Sequence, residues 1–319
     1  MVSFAQTSDA GGRMAEALLT ERDLAGKVEF LTDTLCGGRA SFSRGGVEAS
    51  FWIARRFEHY GLLPFRSGGP ASQASYFQSF RSSDKVGHNV IGFCPASAPS
   101  DRYVIVGAHY DNLGVLSGRY YPGADSNASG VAVMLDLAHM FRSLSVLGHS
   151  SSQNIIFVAF DAKQLSMAGS NALYRALERG ALLNPVDGSV IRPDQVSMMV
   201  NIDIVGSTLE PVHKGREDYL IMLSDDDALK RRLSEANFSS RMSLDLSFDY
   251  YGSKDFTDLF LKRICDQRVF IEHGIPSVLF TSGITMLTNK VDDTPESLNI
   301  PVLHKRALLI FRWLEKVLS

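Results

Sequence analysis

The chain has 319 residues, with 32 basic and 35 acidic side chains and a formal net charge of −3. Such near-balance excludes a nucleic-acid partner or an anionic membrane surface as its governing interaction. No apolar run approaches the ~20 residues needed to span a bilayer, and 45% hydrophobic with 21% charged residues is a globular composition.

Residues 1–20 are set apart as an N-terminal segment. Met1-Val-Ser-Phe-Ala-Gln6 reads like the end of a secretory signal without its apolar core, giving a secreted or periplasmic location as an expectation. A plain N-terminal tail fits those residues equally well. Residues 21–319 are expected to form one domain, because no repeat, low-complexity tract or linker divides them.

In chain order, apolar positions at Met14, Leu18, Leu24, Val28 and Leu31 predict a helix over residues 9–35. A Gly/Arg/Ser segment covers 36–46. Val47 to Tyr60 follows as an amphipathic helix stopped by Gly61. Residues 64–86 are polar and form a loop with an edge strand around Tyr76–Phe80. Apolar runs then predict buried strands at Asn89–Phe93, Tyr103–Ala108, Ile155–Phe160, Ser197–Ile202, Tyr219–Leu223 and Ser277–Phe280. Helices are expected between them at Gly130–Leu144, Met167–Arg179, Ala228–Asn237 and Lys254–Leu261, with a last one at Pro301–Leu318. Strands alternating with helices imply an α/β fold: a mostly parallel, mixed central sheet with helices on both faces, a three-layer sandwich.

Cys36, Cys94 and Cys265 form no CxxC pair and read as buried free thiols. His139, His149, His213, His273 and His304 have no partner motif and read as surface or packed histidines. The runs Asp225–Asp227 and Asp292–Asp293 are expected to cap helices or face solvent. No Gly-x-Ser-x-Gly elbow supports a serine hydrolase.

Ligands of open α/β sheets bind beyond the carboxyl ends of the strands. There the chain places His109-Tyr-Asp111, the loop Gly123-Ala-Asp125, Asp161-Ala-Lys163-Gln164, Asn201-Ile-Asp203 and, later, Thr288-Asn289. One His-x-Asp is a weak signal. Several strand ends bringing His and Asp to one rim is a stronger one, and histidine with carboxylates suits zinc.

The order and wording of these segments resemble the zinc aminopeptidases of metallopeptidase family 28, which also holds the animal-type glutaminyl cyclases. The resemblance implies a zinc-aminopeptidase-like fold and a two-zinc site. It places His109, Asp125 and Asp203 at one metal position, with Asp111 orienting the His109 ring. At the general-base position stands Lys163, and Gln164 and Asn289 stand where the second zinc has ligands. Cys265-Asp266-Gln267 occupies a Ser-Asp-His stretch, which puts Asp266 and Gln267 at the substrate cleft. An ammonium cannot take a proton, and amide oxygens are poor zinc ligands. Replacing two glutamates by lysine and glutamine nearly offsets the charge of two absent zinc ions, so Lys163 could pair with the buried aspartates.

Two readings are open. In one, the protein is a catalytically impaired or inactive relative, without metal, whose cleft binds a peptide or a protein N-terminus. In the other, it is an active metallo-aminopeptidase using a single zinc at His109, Asp125 and Asp203. Glutaminyl cyclase chemistry is less favoured, because its zinc corresponds to the altered position.

Overall fold

The computed structural model describes residues 12–67, 74–149, 151–208 and 217–319. The signal-like Met1–Gln6 and His213 lie outside the described residues. Eight strands form the central sheet: β1 (Phe77–Ser82), β2 (Lys85–Cys94), β3 (Tyr103–His109), β4 (Asn154–Phe160), β5 (Val196–Ile202), β6 (Tyr219–Leu223), β7 (Asp245–Ser247) and β8 (Ser277–Thr281). Their spatial order is β7-β6-β8-β5-β3-β4-β2-β1. The centre is parallel, β4 beside β3 beside β5 beside β8, and β7 also runs parallel to β6. The pairings β6–β8, β2–β4 and β1–β2 are antiparallel, which makes the sheet mixed.

Around it lie α1 (Glu21–Leu31), α2 (Arg44–Tyr60), α3 (Ser129–Val146), α4 (Ala168–Glu178), α5 (Asp227–Ser239), α6 (Lys254–Lys262), α7 (Gln267–Glu272) and α8 (Ile300–Leu318). Alternate side chains of one strand enter different cores, as a sheet covered on both faces requires. Val104, Val106 and Ala108 of β3 pack with α1, α2, α3 and α8, while Tyr103 and Ile105 pack with α4 and α7. This explains why the strand sequences are apolar throughout rather than alternating. Among the described residues, no helix is long and apolar enough to cross a membrane.

The single helix expected over 9–35 is broken. Residues 12–16 are helical, and α1 begins afresh at Glu21, where the Thr20 hydroxyl accepts the Asp23 N–H at 3.1 Å. Residues Thr34–Arg39 form tighter 3₁₀ turns, with positive φ at Gly37 and Gly38. Helix α2 starts earlier than expected because Ser43 Oγ accepts the Gly46 N–H at 3.0 Å, and it stops at Gly61 with φ 79°. All three cysteines are free and buried. His139 stacks on Tyr60, His273 stacks on Tyr174, and His304 meets the Leu19 carbonyl at 3.2 Å. In the first acidic run, Asp226 caps α5 by accepting the N–H groups of Ala228 and Leu229.

Candidate functional site

Parallel register brings the carboxyl ends of β3, β4 and β5 together, with His109 opposite Phe160 and Gly107 opposite Asn201. Beyond those ends the chain leaves the ladder and its polar side chains converge. His109 is completely buried; its Nδ1 lies 3.0 Å from the Asp111 carbonyl, so that nitrogen carries the proton. Its Nε2 lies 3.2 Å from Asp203 Oδ1 and 3.1 Å from Lys163 Nζ. Lys163 Nζ donates to Asp203 Oδ2 at 2.6 Å. Lys163 therefore bridges the histidine and the aspartate that end the two strands flanking this rim.

Backbone bonds set the lysine in place. Asp111 is buried, and its two carboxylate oxygens accept the N–H groups of Lys163 at 3.0 Å and Gln164 at 3.3 Å. The preceding Ala162 has φ 59°, a left-handed turn that carries the chain from β4 onto this carboxylate. The Asp111 carboxylate thus positions the Lys163 segment, while the His109 ring donates to the Asp111 backbone carbonyl, the carboxylate lying 3.6 Å from Nδ1.

The charges reinforce one another. Burial opposes ionisation of Asp203, but the Lys163 ammonium and His109 outweigh it and hold the carboxyl far below its ordinary range. Burial likewise works against the Lys163 ammonium, and Asp203 overrides it, so the lysine stays protonated. For His109, burial and the Lys163 charge are exceeded by Asp203 and Asp111, raising it to about 9. Cys265 is buried near Asp203 and Lys163, and burial pushes its thiol up.

Asp125 is wired differently. Its Oδ1 accepts Ser129 Oγ at 3.0 Å and the Gly206 N–H at 2.7 Å, and its Oδ2 accepts the Ser207 hydroxyl. Its backbone N–H and that of Ser126 are held by the Asp293 carboxylate at 2.7 and 3.1 Å. Asp293 is 1% exposed, so it is an internal clamp rather than a solvent-facing acid or a helix cap. Arg39, also buried, donates to the carbonyls of Leu31, Tyr110, Pro122 and Gly123 and ties the turns after α1 to the same loops.

The remaining sequence candidates separate from the rim or stiffen it. Gln164 and Asn289 are exposed, and Asn289 has φ 61°. Gln267 is buried: its Oε1 accepts Asn201 Nδ2 at 2.7 Å and its Nε2 donates to the carbonyls of Phe260 and Leu261. Asp266 accepts Ser170 Oγ at 2.7 Å on one oxygen, while its other oxygen is buried without a partner. Sequence reasoning missed Arg39, Ser129, Ser207 and the clamping role of Asp293. Only Asp293 carried a signal, as an acid beside the Thr288-Asn289 stretch.

The donor set does not fit a divalent metal in this arrangement. Among the described residues, no group of three or more His, Cys, Asp or Glu side chains could hold one. A unit positive charge ~4 Å from a divalent ion is repelled by roughly 8 kcal/mol at an effective dielectric of ~20. Lys163 thus occupies the space between the candidate ligands His109 and Asp203 with a charge that opposes the ion.

The family model described as Peptidase family M28 matches residues 89–313, and the chain belongs to that family. A probable leucine aminopeptidase of Arthroderma otae is 26% identical over 202 residues, which is 62% of this chain and 47% of that protein. BOS complex subunit ncln of Danio rerio is 33% identical over 106 residues, 33% of this chain and 17% of that protein. The chain spans about half or less of these curated relatives. BSAP, a zinc aminopeptidase from Bacillus subtilis, has a similar structure, with TM-score 0.69 at 14% identity. That similarity covers 94% of this chain and 96% of BSAP, and it shows the shared fold.

Proposed function

We propose that this family M28 chain is a non-hydrolytic relative in which an ion pair replaces the metal, and whose cleft binds a peptide or a protein N-terminus. The observation that carries the proposal is Lys163 Nζ, 2.6 Å from Asp203 Oδ2 and 3.1 Å from His109 Nε2. Peptide hydrolysis needs a base to take a proton from the attacking water, and a firmly protonated lysine has only protons to give. One of its donors serves Asp203, and the protonated His109 ring donates to the same carboxylate. The side chain keeps 14% exposure, so a remaining donor can meet a carbonyl oxygen of a bound chain. The binding role is also supported by a relative whose name is that of a complex subunit rather than a peptidase.

The test is direct. Purified protein supplied with zinc and an aminoacyl chromogenic substrate should show no turnover, and metal analysis after reconstitution should find no bound zinc. Turnover that disappears in Asp125→Asn would overturn the proposal in favour of a single-zinc aminopeptidase. That alternative requires Lys163 to leave Asp203, and Asp125 to release Ser129, Gly206 and Ser207.

A further inference from the structure

Away from this rim, edge strand β1 and helix α4 enclose a groove of about 650 Å³. Arg81 lines one wall, Arg175 and Arg179 line the other, and Gln78, Ser79 and Asn171 contribute polar groups. Among the described residues, no carboxylate lines it. None of the three guanidinium groups has an ion pair or a side-chain hydrogen bond among the described residues. Some other surface cations, Lys230, Lys262, Arg268 and Lys316, each face a carboxylate. Arg175 and Arg179 are four residues apart on one helix, so their like charges repel mildly. The negative end of α4 accounts for cations at those two positions. It leaves both guanidinium groups facing a groove with no carboxylate among the described residues.

The strand wall has open hydrogen-bonding groups. Among the described residues, β1 is the last strand of the sheet. The Ile91 N–H donates to the Tyr76 carbonyl at 2.7 Å, and Phe77 lies opposite Val90. In an antiparallel ladder, Gln78, Phe80 and Ser82 then pair with β2, while Ser79 and Arg81 turn their N–H and C=O groups outward. Such an edge is a template for an added strand, and a charge on it selects which strand can be added. Arg81 sits at that edge, so it disfavours a basic or neutral segment and complements an acidic one.

We propose that the groove docks an acidic, extended segment of a partner protein, added beside β1 with its carboxylates facing Arg175 and Arg179 of the α4 wall. The proposal does not depend on the Lys163 rim. A labelled peptide alternating glutamate and valine, matched to the six residues of β1, serves as the probe in fluorescence anisotropy. Saturable binding is expected, with affinity reduced at least about tenfold in Arg175→Ala/Arg179→Ala and falling as salt is raised. A lysine–valine counterpart should not bind. Amide exchange at Ser79 and Arg81 should slow when the glutamate peptide is bound. These arginines are exposed, so an unchanged melting temperature will show that the variant is folded. The proposal is overturned by absence of saturable binding, by equal affinity in the double variant, or by binding without slowed exchange at Ser79 and Arg81. Competition by a single-stranded oligonucleotide of equal charge would overturn it as well, revealing a general polyanion surface.

Discussion

Lys163 and Asp203 neutralise each other at a site where neither is well hydrated. Removing one partner from such a pair leaves a buried charge whose desolvation is no longer offset. Lys163→Ala should therefore lower the unfolding free energy by about 3–5 kcal/mol, read from urea midpoints at an unchanged m-value. Asp266 makes a different prediction. Burial raises its pKa from 3.8 to about 6, although Ser170 and the nearby His109 and Lys163 charges pull it down. The folded state holds this proton more tightly than the unfolded chain does. Its contribution to stability is thus full below the unfolded value and is lost as pH rises through about 6. Asp266→Asn keeps an acceptor for Ser170 and abolishes that loss. Its stability relative to the unsubstituted protein should improve steadily between about pH 4 and pH 7, measured by denaturant titration. Part of the slope will persist, because Asp161 and Asp293 are also raised to about 6 by burial.

At the scale of elements, α3 is fitted closely onto the strand ends. A Cβ on Gly130 would lie 2.4 Å from Asn127 Oδ1 and 2.5 Å from the Ile202 carbonyl. Backbone at that distance cannot yield without moving the helix from β5. Gly130→Ala should cost about 1–3 kcal/mol despite alanine's better helix propensity, seen as a lowered melting temperature. How far such elements can be read in advance depends on what defines them. Strands β3, β4 and β5 were legible because burial on both faces makes their sequences continuously apolar. The break before α1 was not, since Met14 and Leu18 before the cap at Thr20, and Leu24, Val28 and Leu31 after it, each keep helical spacing. Helix α7 has six residues and too little periodicity to register. Which side chains converge was legible for His109, Asp203 and Lys163, all fixed by strand ends. The wiring of Asp125 was not, because Ser207 lies 82 residues away and carries no sign of its partner.

On the scale of the whole molecule, the three thiols report on global opening. Cys36 packs among the helices of one face, Cys94 lies on β2, and Cys265 sits beside the polar rim, all buried. Burial raises Cys36 to about 11 and Cys94 to about 12, so little thiolate is present near neutrality. A thiol reagent should label none of the three rapidly in the native protein and all three in denaturant. If labelling is limited by cooperative unfolding, the three rates should agree at low denaturant. Fast labelling of Cys265 alone would mean that the rim opens independently of the sheet.

The lysine bridge also has a bearing on how the site could take a metal. A change of Lys163 to glutamate, taken alone, would set a carboxylate against Asp203 with only His109 left to offset the pair. A zinc ion arriving first would meet an ammonium. Either change alone is thus opposed by the charges already in place, and the two together are not. The ion pair acts as a lock: the charges that hold this part of the fold together also oppose a metal in the same place.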